Sequence, residues 1–449
     1  MEVFKSAFSK LKGLLKGKKE KILSIYLIVN VFWVFFGMFS YCYLKFSYRN
    51  VSTSYILFLA FNVMVIVFIN IFKKVKFNVK DIFLILLVLC GIISVIFSKD
   101  SSISLYGCWQ RYEGFFQLLY YYSLMYLASF VINDKLKKWI VAFILGFGLF
   151  NVGICILQMF KIFKFIPVPY PTSSMWNLGQ GLISNSNFFG SYMVLCLGIS
   201  CGLFLFYKGK IFNKFIFLML AVSFYAGLLM SGAMSGMVGF FGICLLLIIY
   251  FIYLCIKKID VKNNIISYSI FGVSIILVSL VLLFSGKTTM FGDITKYSGQ
   301  AIDMAEGNYS DNYGSFRFFI WRNTIKIVPR YLVHGAGIDC FYDAFDKPLV
   351  TTNSNNQVEY YDKAHNEYLQ KLVCEGLVSC VSYLVLLFII FISNVKKVIK
   401  EHNYFVIGLL LAFVGYCIQA FFNISVIDVA PLFWIVCGLL YNRELKNEL

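Results

Sequence analysis

Leu277-Val278-Ser279-Leu280-Val281-Leu282-Leu283-Phe284-Ser285-Gly286-Lys287-Thr288-Thr289 is where an apolar run gives way to a polar stretch that lasts to Glu375. On both sides of that stretch the chain is almost continuously hydrophobic. Reading this boundary decides the fold: lipid-soluble helices before and after, and one long solvent-facing loop between them. The stretch closes on Asp362-Lys363-Ala364-His365-Asn366-Glu367-Tyr368-Leu369-Gln370, which gathers imidazole, amide and carboxylate groups where the next apolar run begins.

The composition requires a bilayer. Of 449 residues, 60% are hydrophobic and only 14% charged, against about 25% charged in ordinary soluble domains; the mean hydropathy is +0.78. A net charge of +18 raises nucleic acid as a partner, but the basic residues fall in short clusters between apolar runs and form no continuous face, so nucleic acid is excluded. Thirteen cysteines lie mostly inside apolar runs, without C-x-x-C or Cys/His ligand spacing. They read as packing residues, and no metal site or cofactor is expected.

Runs long enough to cross roughly 30 Å of hydrocarbon as helices lie at 22–44, 53–72, 81–98, 114–132, 139–160, 187–207, 214–231, 236–256, 264–284, 364–393, 403–422 and 426–441. The expected fold is an all-α membrane protein of about twelve spans with one large loop, 285–363, between spans 9 and 10. Residues 1–21 place Val3, Phe4, Ala7, Phe8, Leu11, Leu14 and Leu15 at helical spacing opposite lysines, which predicts an amphipathic segment on the membrane surface; residues 442–449 form a short tail. With both termini cytoplasmic, the inner connections hold 25 of the 40 Lys and Arg residues, the sense of the positive-inside rule. The long loop is then external.

Within that loop, the Gly/Asp/Ser/Asn-rich part, 285–312, predicts a mobile lid. From Gly314 on, Phe316, Phe319, Ile320, Thr324 and Ile327 recur at helical spacing and predict a surface helix ending at Val328-Pro329. It carries Arg317 and Arg322, five residues apart and so on different faces. Gly335-Ala336-Gly337 predicts a turn, and a helix from about His365 would put Leu369 and Leu372 on the histidine's stripe. Two further external segments are unusual: Tyr106 to Gly114, with Arg111 and Glu113, and the proline-rich Pro167 to Gly190, with Asn185 and Asn187. Irregular polar backbone at membrane depth is tolerated where it is buried in protein or lines a wet cavity, so these segments are expected to wall a cavity.

Histidine suits proton removal near neutral pH, and arginine's fork suits phosphate or pyrophosphate. The plain alternatives are a histidine at a helix start and arginines snorkelling at headgroup level. G-x-x-x-x-G-K-[ST] and H-E-x-x-H are absent, and the G-x-S-x-G at Gly198 to Gly202 lies inside an apolar run and is no elbow, which sets aside nucleotide-driven pumps, zinc proteases and serine hydrolases. D-x-D is absent too, which argues against a metal-bound nucleotide-sugar donor.

Gly314-Ser315-Phe316-Arg317 with Trp321, His334-Gly335-Ala336-Gly337 with Phe341, and Ala364-His365-Asn366-Glu367-Tyr368-Leu369-Gln370 through Glu375-Gly376 resemble, in order and spacing, the O-antigen ligase and polymerase superfamily. Gln110-Arg111-Tyr112-Glu113-Gly114, Asn185-Ser186-Asn187-Phe188-Phe189-Gly190, and Phe422-Asn423-Ile424-Ser425 with Pro431-Leu432-Phe433-Trp434 extend the likeness over about 105–440. The resemblance implies a C-type glycosyltransferase of the bacterial cytoplasmic membrane, active on the outer face. It would move a glycan from undecaprenyl pyrophosphate to an acceptor hydroxyl without a metal or other cofactor.

By position, His365 and Arg317 would be catalytic. Arg111, Glu113, Arg322, Asn185, Asn187, Lys363, Asn366, Glu367 and Gln370 would bind substrate. Partners would be the lipid-linked oligosaccharide, membrane lipids, and flippase and chain-length regulator proteins. The family's Ser-Arg at the outer end of a middle span is missing from Ser231-Gly232-Ala233-Met234-Ser235-Gly236; a second phosphate-binding cation must come from elsewhere, with Arg111 and Arg322 as candidates. A non-catalytic transporter or flippase of lipid-linked glycans, using the same cavity for binding, is the alternative reading.

Overall fold

The computed structural model describes residues 19–44, 47–72, 77–109, 111–161, 178–352, 358–441 and 443. The predicted amphipathic segment up to residue 18, Gln110, the prolines of 167–177 and most of the C-terminal tail lie outside them.

The apolar runs are helices. They are α1 (Lys19–Tyr43), α2 (Tyr48–Phe72), α3 (Val79–Ile96), a short α4 (Ser101–Tyr106), α5 (Phe115–Ala128), α6 (Asp134–Met159), α7 (Ser186–Phe206), α8 (Ile211–Ser231), α9 (Met234–Ile256) and α10 (Val261–Phe284). After the loop come α13 (Glu367–Glu375), α14 (Leu377–Glu401), α15 (Tyr404–Ala420) and α16 (Ala430–Tyr441). Among the described residues nine helices are long and apolar enough to cross a membrane. Helices α5, α15 and α16, with 14, 17 and 12 residues, are shorter than the roughly 20 residues a bilayer asks for. The chain is a multi-pass helical membrane protein.

Helix α7 is the axis of the bundle. It is apolar all round and buried from Phe188 to Phe206, as such a helix must be, and α8, α9 and α15 pack on it. Its Gly198 and Gly202, four residues apart, let α15 come to backbone contact. A Cβ on Gly198 would lie 2.4 Å from Ala412 N, and one on Gly202 would lie 2.3 Å from Gly408 Cα. Small residues four apart allow this approach where no hydrophobic effect drives helices together.

The polar stretch departs from expectation in several ways. Residues 285–312 contain a helix, α11 (Met290–Ala305), that their composition did not announce: Gln300 Oε1 accepts from Gly314 N at 2.9 Å, and the Tyr313 hydroxyl donates to Asp303 at 2.8 Å. The surface helix, α12 (Arg317–Tyr331), buries Ile320, Thr324 and Ile327 as the spacing predicts, but runs through Pro329 to Tyr331. A two-stranded hairpin, β1 (Val350–Thr352) with β2 (Val358–Tyr360), interrupts the all-α pattern.

The predicted continuous span 364–393 is broken. His365 precedes the helix, Asn366 is its N-cap, and α13 ends at Gly376 with φ +87. Leu377 N then donates to Leu332 O at 2.8 Å and α14 starts in a new direction. His365 therefore shares no helical stripe with Leu369 and Leu372.

Candidate functional site

Three cationic or basic side chains reach one place from three distant parts of the chain, and each is presented by strained backbone. Of the nine described non-glycine residues with positive φ, five are Tyr112, Ser315, Phe316, Asp339 and His365, all adjoining this cluster or belonging to it. Such conformations cost of order 1–3 kcal/mol each and persist only where the surroundings over-determine them.

Gly314, Ser315 and Phe316 form a left-handed run, with φ of 61, 56 and 62, that ends at the first residue of α12. This turn folds Arg317 back on itself: Nη1 donates to Gly314 O at 2.9 Å and Nε to Phe422 O at 3.0 Å. Arg317 forms part of the wall of a cavity of about 430 Å³ between α9, α11 and α12, whose other walls include Val238, Tyr297, Ala301, Met304 and Phe318. It is an apolar chamber with one guanidinium in its wall.

His365 sits on the segment entering α13. Gln370 Oε1 accepts from Ala364 N at 2.8 Å, and Trp321 Nε1 donates to Ala364 O at 2.9 Å, so the residue before the histidine is fixed from both sides. Burial first, then the positive charge of Arg317, push the imidazole down to about 3; Asp362 opposes, while Arg111 and Lys363 add to the lowering. The ring is neutral at physiological pH and can accept a proton.

Arg111 comes from a loop that closes on itself. Gly107, at φ +91, approaches Glu113 so closely that a Cβ would lie 2.2 Å from Glu113 N, and Arg111 N and Tyr112 N both donate to Cys108 O, at 3.0 and 2.8 Å. The Arg111 Nε pairs with Asp362 Oδ2 at 3.1 Å, partly exposed, and its guanidinium carbon lies 5.5 Å from the Phe188 ring centroid. Arg111 is thus the second cation acting on His365.

A buried ionic network lies on the protein side. Lys363, only 4% exposed, pairs with Asp339 and lies 4.0 Å from Glu113 Oε2. Burial, opposed by Lys363 and the Ser425 hydroxyl, pushes the Glu113 carboxyl up to about 7. Its Oε1 accepts from Ser425 at 2.7 Å and Tyr121 at 3.1 Å. Lys371 pairs with Glu375 at 2.6 Å, and Glu367 Oε1 accepts from Tyr383 at 2.6 Å while its Oε2 has no hydrogen-bond partner among the described residues. These groups surround a cavity of only about 50 Å³, room for water but not for a sugar.

The sequence-predicted residues therefore divide. His365, Arg317 and Arg111 come together. Glu113, Lys363 and Glu367 face the inner network. Asn366 caps α13 by accepting from Leu369 N at 3.0 Å, and Gln370 braces the histidine segment. Asn185 is exposed and caps α7, and Asn187 O accepts from Asn423 at 3.3 Å. Arg322 is not brought to the cluster: it is half-exposed and paired with Asp311 at 2.8 Å. Sequence reasoning missed Asp339, Asp362 and Ser425, for which a lone polar residue in a loop gives no periodic signal.

Residues 215–384 match the family model described as O-antigen ligase. The match takes in Arg317, Trp321, Asp339 and His365, whereas Arg111, Glu113, Asn185 and Asn187 precede it. No curated protein matches the chain.

Proposed function

We propose that this chain, a member of the O-antigen ligase and polymerase superfamily through residues 215–384, is a membrane glycosyltransferase that joins glycans from an undecaprenyl-pyrophosphate donor, most simply as a surface-polysaccharide polymerase. The observation that carries the reading is Arg317 in the wall of a roughly 430 Å³ apolar chamber beside His365 and Arg111. An isoprenoid fits apolar walls, and a pyrophosphate fits guanidinium forks.

In this reading the acceptor hydroxyl oxygen attacks the anomeric carbon as the bond from that carbon to the phosphate oxygen breaks. The pyrophosphate leaves with the electron pair, and Arg317 and Arg111 stabilise its developing charge. His365 takes the acceptor's proton. The cations that push the free imidazole down are those the donor's phosphates would neutralise. Donor binding therefore raises the basicity of His365 when a base is needed. The donor bond supplies the driving force. The loop end of the bundle is the external face, both termini are cytoplasmic, and flippase and chain-length regulator proteins are the expected partners.

Incubating purified protein with a lipid-linked repeat unit and resolving the products by gel tests this directly. A ladder identifies a polymerase and a single shifted acceptor a ligase. Unchanged lipid, or product undiminished in His365→Ala or Arg317→Ala, sinks the reading.

A further inference from the structure

Asp339, which belongs to neither segment, touches both parts of the site. Its Oδ2 accepts from Cys108 N at 2.7 Å and from Glu113 N at 3.3 Å, the two ends of the closed loop that carries Arg111. The same side chain pairs with Lys363, two residues before His365. Asp339 is itself well anchored. It has a left-handed backbone, φ 61, and its neighbour Ile338 N donates to Ser104 at 2.9 Å. The turn before it is bonded to α13 through Ala336 N to Val373 O at 2.8 Å and Gly337 N to Cys374 O at 3.1 Å.

Adjacent residues of the histidine segment thus join it to the loop in parallel, on an outer and an inner side. Asp362 pairs outward with Arg111, and both side chains are 20–24% exposed; Lys363 pairs inward with Asp339, where the exposures are 4% and 0%. A phosphate arriving at Arg111 competes with Asp362 for the guanidinium and can break the outer joint. It cannot reach the inner one. Once the donor is bound, the inner joint, with Lys363 also 4.0 Å from Glu113, holds Arg111 in register with His365.

We propose that Asp339 is a positioning residue: a single buried carboxylate that pins both ends of the Arg111 loop to Lys363 and so sets the separation between Arg111 and His365 while the Arg111–Asp362 pair exchanges for the donor's phosphates. This rests on the glycosyltransferase reading above for what the site acts on, but the pinning itself is independent of it.

Two measurements test it. The first is a double-mutant cycle on polymer formation from the lipid-linked donor. Asp339→Ala should lower kcat/KM about 100-fold, the scale of a 1 Å misplacement, and Arg111→Ala added to it should cost little more, because Asp339 acts through Arg111. Asp339→Asn, which keeps an oxygen for the two amides and loses the charge facing Lys363, should fall between wild type and Asp339→Ala. Fully additive losses for Asp339→Ala and Arg111→Ala overturn the proposal.

The second needs no substrate. Maleimide labelling of Cys108 in native membranes, resolved by peptide mass spectrometry, should be several-fold faster in Asp339→Ala than in wild type and intermediate in Asp339→Asn. Equal rates overturn the proposal. If wild-type protein makes no product from the donor, the glycosyltransferase reading fails, and Cys108 labelling still decides the pinning.

Discussion

Trp321 donates its indole Nε1 hydrogen to the carbonyl of Ala364 at 2.9 Å, joining the helix that begins at Arg317 to the residue before His365. Trp321 lies one helical turn beyond Arg317, on the same face, so one bond holds the two residues proposed as catalytic in a common frame. Phe421 and Phe422 flank the indole, with ring centroids 5.4 and 5.9 Å away, which prevents it from swinging out.

Trp321→Phe keeps the packing and removes the donor, leaving a carbonyl without its partner, a cost of about 1–3 kcal/mol. Protein level should be near wild type while polymer formation falls at least about tenfold from lost alignment. Gel analysis beside an immunoblot checks this; normal polymer with normal protein level would show that the bond does not set the geometry.

Arg317→Lys keeps the charge but lacks the planar fork that satisfies Gly314 O and Phe422 O together. The variant should insert and fold, yet lose most activity, with KM for the lipid-linked donor raised. Titrating donor concentration separates KM from kcat, and wild-type kinetics would mean that charge alone suffices.

The pH profile of kcat/KM follows from the two shifted groups. His365 is pushed down to about 3, so its protonation should not draw activity down between pH 8 and 5. Glu113 is pushed up to about 7, so any inflection near neutrality belongs to it and should vanish in Glu113→Gln. The stability consequences have opposite signs. A histidine lowered on folding adds stability that is lost as pH falls from about 6.5 toward 3, and a carboxyl raised on folding adds stability that is lost as pH rises from about 4.5 to 7. An acid limb near pH 6.5 that survives in Glu113→Gln would show that His365 titrates normally.

Gly202→Val tests the bundle apart from the site. A side chain there meets the α15 backbone at Gly408, 2.3 Å from the first added atom. Helices α7 and α15 must separate, and overpacking of this kind costs about 1–3 kcal/mol or more. A lower unfolding temperature in detergent is the expected outcome; an unchanged one would mean that the two helices are not in backbone contact.

Local chemistry made the helices readable. Apolar runs near 20 residues can satisfy their backbone only as helices, and Ile320, Thr324 and Ile327 kept their period through the polar loop. The broken span was not readable, because Leu369, Val373 and Leu377 continue an apolar pattern across Gly376. Only its φ of +87, enforced by Leu377 bonding to Leu332, stops the helix. Residues 285–312 misled in the other direction: their polar composition hides a helix held by Gln300 and Tyr313.

The site divides along the same line. Arg317, Arg111 and His365 could be named from residue type, because imidazole and guanidinium have chemistry of their own. Whether a charged residue faces substrate or protein could not be named: Lys363 turns inward to Asp339 while Asp362, beside it, turns outward to Arg111. That choice depends on partners up to 251 residues away, and burial of a charge is decided by which counter-charge the fold delivers. By itself the sequence determined the membrane, the helices and the candidate side chains. The tertiary structure decided which of those side chains meet, since desolvation and ion pairing are properties of the assembled site and no single stretch possesses them.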